Sequence, residues 1–296
     1  MQPKKVRFRS LTSKEQIRRE IEFLRENDIF HKYIISNYTT TIETAGRIIK
    51  FNDTMMSQKA FVAYQMIKKD LSEWTANERP EVSRDEVQYF ETFLEKPLYL
   101  KTGYAVDIKS AYASILFNDG FISPKTYGFL KTLPKKARLA CVGMLASRKD
   151  VFYFQGRELT GHIKEVNPLE NYFWWCVKRT AEVMNLVRAE TNPLFFWVDC
   201  AYFATKKEAQ AAQRIFFSNK FESSRKKMFS FVCRTQKNKY GEVRNLISFY
   251  QAESSEQEYS EASRENTEFK TFTIPVQRNI QKQLLSWLNK QVNSKP

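Results

Sequence analysis

Residues 98–114, LYLKTGYAVDIKSAYAS, decide how this chain is read. Tyr104, Val106 and Ile108 alternate as on a β-strand, and the stretch carries the aromatic and branched residues that strands favour. Asp107 stands at the end of that strand, and the following SAYASILFNDG reads as a helix stopped by Gly120. A carboxylate at the end of a buried strand can bind a divalent cation while the chain turns. Backbone N–H groups of the turn and helix start then face a phosphate-bearing ligand. An aspartate capping an ordinary strand–turn–helix gives a similar outline. Ser110, Tyr112 and Ser114 follow Asp107 in the turn and the start of that helix.

A hard divalent cation is bound through one or two carboxylates, so a second acid beside the first would complete such a site. The apolar run 194–204, LFFWVDCAYFA, reads as a strand, a tight turn and a returning strand, and it supplies Asp199. Between the two acids, Pro134 precedes a helix over 135–148 that carries Lys135 and Arg138. Asn167, Pro168 and Glu170 fit the N-cap, first and third positions of a long helix running to about Glu190. Its apolar face is Phe173, Trp174, Val177, Ala181, Met184 and Val187. Residues 228–250 suggest a hairpin turning around 237–241. Arg225, Lys226, Lys227, Lys237, Lys239 and Tyr240 make a basic stretch with aromatics interleaved, although a solvated charge run reads the same way.

The segment Asp107–Ser114 resembles motif A of family B DNA polymerases, DxxSLYPS. Asp107, Ser110, Tyr112 and Ser114 match, while Ala111 and Ala113 replace the Leu and Pro. The 194–204 hairpin partly resembles motif C, YxDTDSIF, in one of two registers. If Asp199 takes the second acid's place, Trp197 replaces the first acid; if it takes the first, Ala201 falls in the ligand position. The first register fits the flanking aromatics better, and either leaves one acid missing. Residues 135–147 are similar to a worn motif B, KxxxNSxYG, with Lys135 and Gly143 in place and Leu139, Ala140 and Val142 substituted.

The resemblance covers 98–250, about half the chain. It implies an α+β fold: a palm with an antiparallel sheet and helices on one face, a small fingers insertion, and a helical N-terminal region. It also implies Asp107 and Asp199 as catalytic ligands of a two-Mg²⁺ site. Ile108, Ser110, Ala111 and Tyr112 would lie along the nucleotide, Tyr112 gating its sugar. Lys135 and Arg138 would meet the triphosphate, and the 225–240 residues would grip the primer. No proofreading exonuclease motif stands in the first hundred residues, so the implied relative is a reduced one of the phage or mobile-element kind.

Composition agrees with a nucleic-acid partner. The chain has 296 residues, 42% hydrophobic and 15% aromatic, enough to bury a core, and 48 Lys+Arg against 33 Asp+Glu give +15. Cys141, Cys176, Cys200 and Cys233 form no CxxC pair and with His31 and His162 make a poor zinc set, so reduced thiols are expected. No run of about 18 apolar residues occurs, so the expectation is a soluble, cytoplasmic protein without membrane contact.

The organisation expected is a helical region over 1–97, with helices at 12–27, 55–74 and 84–95, then the palm over 98–250. A mobile acidic linker over 251–272 and an amphipathic helix over 273–296 follow. That last helix, with Ile280, Leu284, Leu285 and Leu288 on one side, could meet a protein partner. Two functions compete: nucleotidyl transfer from a nucleoside triphosphate, and a catalytically silent palm that binds nucleic acid or a polymerase. A reverse transcriptase uses the same palm logic, but its adjacent Asp pair is absent.

Overall fold

A computed structural model of the chain describes residues 7–11, 13–36, 39–52, 58–74, 80–82, 98–237, 241–252 and 267–275. In chain order its first elements are β1 (Arg7–Leu11), α1 (Lys14–Glu26), β2 (Phe30–Ser36), β3 (Thr39–Thr44), β4 (Arg47–Asn52) and α2 (Gln58–Trp74). Next come β5 (Leu98–Ile108), α3 (Ala111–Asn118), α4 (Pro124–Thr132), α5 (Lys135–Gly143), β6 (Arg148–Gln155), β7 (Glu158–Val166) and α6 (Glu170–Glu190). The last are β8 (Phe195–Trp197), β9 (Cys200–Phe203), α7 (Lys206–Ser218), β10 (Ser223–Lys237), β11 (Val243–Gln251) and β12 (Glu268–Pro275). The class is α+β. The chain divides into two compact units, Met1–Glu86 with Asp119–Trp175, and Val87–Asn118 with Cys176–Pro296.

The first unit holds a six-stranded sheet in the order β1-β4-β3-β2-β6-β7, antiparallel except for the β1–β4 pair. This corrects the expectation of a helical region over 1–97. The Ile-, Thr- and Phe-rich run 30–51 is β-branched and aromatic, and such side chains pack better on a pleated surface than on a helix. The first expected helix is present: the Ser13 hydroxyl accepts from the Gln16 N–H at 3.2 Å. Its apolar stripe of Ile17, Ile21 and Leu24 packs onto Ile42, Ile49 and Phe51.

The second expected helix is α2, which packs with α4 and α5. The Asp70 carboxylate accepts from the N–H of Ser123, the N-cap of α4, at 2.7 Å. The helix expected over 135–148 stops at Gly143, runs through a 3₁₀ turn at Met144–Ala146, and gives way to β6 at Arg148. The expected helix over 84–95 and most of the expected linker over 251–272 and helix over 273–296 lie outside the described residues, and where that linker and helix were to meet, Glu268–Pro275 form the strand β12 instead.

The second unit holds the other six-stranded sheet, antiparallel throughout, in the order β12-β11-β10-β5-β9-β8. Directly opposed residues of antiparallel strands share a face. Met228 opposes Gly103, Lys226 opposes Ala105, and both Cys200 and Ser224 oppose Asp107. These residues mark one face. On it Ala105, Phe195, Cys200, Tyr202, Met228, Phe231, Cys233, Ile247 and Phe249 form a buried cluster, with Phe272 against it. Val106, Ala201 and Arg225 mark the other face. There α7 packs across β5, β9 and β10, burying Ala209, Ala212, Ile215 and Phe216.

The expected strand at 98–107, the helix after it, the long helix to Glu190 and the 194–204 hairpin are all present. The Asn167 amide oxygen accepts from the Leu169 N–H at 3.0 Å, as an N-cap side chain does. No helix among the described residues is long and apolar enough to cross a membrane.

Candidate active site

Asp107 is the penultimate residue of β5 and lies on the face of the aromatic cluster, where the apolar surface runs out. It is half-buried between Val106 and Ile108, which are 0% and 1% exposed and anchor the strand end. Asp199 reaches the same place from the β8–β9 hairpin. Trp197 opposes Cys200, so Val198 and Asp199 form a two-residue turn. The Ile108 N–H donates to the Asp199 carbonyl at 3.0 Å, fastening that turn to the end of β5. Strand spacing then puts the two aspartate Cα atoms roughly 6 Å apart.

The field of both carboxylates is felt by their neighbours. The Cys200 thiol is pushed well above its ordinary range by burial first and then by the Asp107 charge, with Asp199 adding to it and Lys270 opposing. Tyr202 is pushed up by burial, by Cys200, and by the same two aspartates. Both groups stay neutral near the acids. Among the described residues no three His, Cys, Asp or Glu side chains converge on a metal position, so the acids form a pair and not a triad.

Strain collects on either side of the pair. Ser110 has φ 56 and Val198 has φ 57, in the left-handed region where a β-branched residue is an outlier. In a two-residue hairpin with positive φ at the first central position, glycine is the usual occupant. Val198 stands there instead. The turn after Asp107 is held by Ser114, whose N–H donates to the Ser110 carbonyl at 2.9 Å and whose hydroxyl donates to the Lys109 carbonyl at 3.1 Å. The Lys109 N–H donates to the Glu222 carbonyl at 2.8 Å, tying β5 to the start of β10.

The other residues singled out from the sequence fall in several places. Ile108 and Ala111 are buried, at 1% and 3% exposure, and Tyr112 is half-buried, its carbonyl accepting from the Cys176 thiol at 3.6 Å. Lys226 shares the Asp107 face. Arg225 and Lys227 are on the opposite face, Arg225 donating to the Gln213 side chain at 2.8 Å and Lys227 lying 5.4 Å from the Phe229 ring centre. Lys237 is exposed at the far end of β10, and Lys239 and Tyr240 lie outside the described residues. Lys135 and Arg138 stand on α5 in the first unit; Lys135 is exposed and Arg138 donates to the Leu133 carbonyl at 3.2 Å.

One residue of the site, Lys270, was not legible from motifs. Lys270 opposes Phe249, which puts it on the Asp107 face, and its charge reaches Cys200. Trp197, on the same face through its pairing with Cys200, lies 4.7 Å from Phe272 and is 41% exposed. The alternation of Lys270, Phe272 and Ile274 was the available signal, three positions long and placed just after the Ser/Glu-rich stretch. The chain matches no family model, no curated protein and no solved structure.

Proposed function

We propose that the second unit is a polymerase-like palm that transfers a nucleotidyl group from a nucleoside triphosphate to a hydroxyl, using Mg²⁺ held by Asp107 and Asp199. The observation that carries this is the pairing of the two acids at adjoining chain turns, fastened by the Ile108-to-Asp199 hydrogen bond. The donor set suits Mg²⁺, which takes one or two carboxylates and fills its remaining positions with phosphate oxygens and water. When bound, such ions neutralise the charge that develops on a transferring phosphoryl group.

The chain's own residues would do the rest. Lys226 and Lys270, on the same face, offer positive charge to a phosphate beside the acids. Tyr202 and Cys200 remain protonated, so they add no negative charge to a site that must accept a polyanion. Ala201 lies on the face away from Asp107 and is 0% exposed, which supports the register that uses Asp199 as ligand. The net charge of +15 supports a nucleic-acid partner.

Primer extension with the full chain tests this reading. Mg²⁺-dependent incorporation is expected from the wild type, and a loss of about a thousandfold in Asp107→Asn and in Asp199→Asn. A second reading is a silent palm that binds nucleic acid without turnover, and the acid missing from the 194–204 hairpin favours it. No extension by the wild type, with nucleic-acid binding intact, selects the second reading over the first.

A further inference from the structure

The helix-bearing face of the second sheet holds a cavity of about 720 Å³ at the end of β5 and the start of β10. Its walls include Lys109, Gln213, Arg214, Phe217, Glu222 and Arg225. Three cations against one carboxylate give it a positive balance. Each cation is delivered by a different element. Arg225 is set on β10 and steadied by its 2.8 Å bond to Gln213. Lys109 leaves the end of β5, its N–H fixed to the Glu222 carbonyl, and Arg214 projects from α7.

Phe217 follows Arg214 by three residues, so the two are neighbours on α7. Its ring is 81% exposed, while the adjacent Phe216 is 0% exposed. A single exposed apolar residue is ordinary on a protein surface. A phenyl ring this open at the rim of a basic cavity is different, because phosphate-binding groups beside a free aromatic face are the two parts of a single-strand binding site.

We propose that this cavity binds a short segment of single-stranded nucleic acid, a phosphate between Lys109, Arg214 and Arg225 and a base stacked on Phe217. It lies on the face opposite Asp107, so it is separate from the carboxylate pair and does not depend on catalysis there. It would hold a strand beside the palm rather than align it for reaction.

The test uses the full chain and an oligothymidylate of twelve nucleotides bearing one 5-iodouracil, read by fluorescence anisotropy and by photocrosslinking. The crosslink is expected on the tryptic peptide Ile215–Lys220, which contains Phe217. Phe217→Ser and Arg214→Ala alter exposed side chains, and equal melting curves will show that both variants fold. Each should weaken binding roughly tenfold, and Arg214→Ala should lower the slope of log affinity against log salt by about one. Asp107→Asn should keep the crosslink, so a failed extension assay and a failed strand site are told apart. Crosslinks only outside Ile215–Lys220, or unchanged affinity in both variants, would overturn the proposal. So would displacement of the oligomer from this peptide by equal concentrations of thymidine monophosphate or inorganic phosphate, which would make it a small-anion site.

Discussion

Val198, at φ 57, adjoins Asp199, and Ser110, at φ 56, lies three residues beyond Asp107. Left-handed backbone costs a non-glycine residue about 1–2 kcal/mol, and a branched Cβ makes it worse. Val198→Gly should therefore stabilise the fold by up to about 1 kcal/mol after the loss of chain entropy that glycine brings. A thermal melt raised by a few degrees is the expected outcome, and a lowered one would show that the Val198 side chain, 58% exposed, does more than fill the turn. At this scale the sequence was informative where spacing carried the message. Asp107, Ser110 and Ser114 could be picked out because they match the spacing of the motif that the segment resembles, and Ser114 fastens the turn through two hydrogen bonds. Lys270 could not, because its place beside Cys200 comes from strand pairing with β11 and not from its neighbours in the chain.

At the scale of elements, β5 is the strand on which the second unit depends, since it pairs with both β10 and β9 and carries Asp107. Gly103 lets those neighbours close in. A Cβ there would lie 2.8 Å from the Met228 methyl and 2.9 Å from the Phe203 carbonyl oxygen. The methyl can swing aside, but the carbonyl belongs to β9 and cannot. Gly103→Ala is predicted to destabilise by about 1–3 kcal/mol, seen as a lower midpoint in urea unfolding, with the slope unchanged. An unaltered midpoint would mean that β9 shifts at no cost, and Asp199 with it. Five strands of this unit were legible because apolar runs bounded by turn residues mark them, and β12 was not, since it falls in the stretch expected as linker and helix. Those of the first unit were not. There β2, β3 and β4 are short and polar in part, as in TTTIET, and the β6–β7 hairpin has an outer strand exposed nearly throughout, so no period-two stripe announces it. Pairing with neighbours, not local pattern, makes them strands.

At the scale of the whole molecule, the two units divide the sequence differently from the order of its motifs. The segment 119–175 falls inside the span 98–250 expected as a palm with a small fingers insertion, yet it belongs with the N-terminal residues, and α5 with Lys135 and Arg138 goes with it. Chain order alone cannot say which sheet an insertion joins. Stability of the intact chain should depend on pH through its buried thiols. Burial pushes Cys141 and Cys233 up to about 11 from an ordinary 9.0, and Cys200 moves the same way. The fold holds the neutral form, so the unfolded chain loses these protons first and stability falls as pH rises from 9 towards 11. Melting temperatures across that range should drop for the wild type and drop less steeply for the Cys141→Ala, Cys233→Ala double variant; equal slopes would contradict this. The claim on which the functional account rests is that Asp107 and Asp199 act as one centre. Mn²⁺ titration of the full chain, followed by electron paramagnetic resonance, tests it most directly through a double-mutant cycle. The account predicts that Asp107→Asn and Asp199→Asn each weaken Mn²⁺ binding by about tenfold or more, and that the double variant is little worse than either alone. Wild-type affinity in either single variant, or losses that simply add, would contradict it.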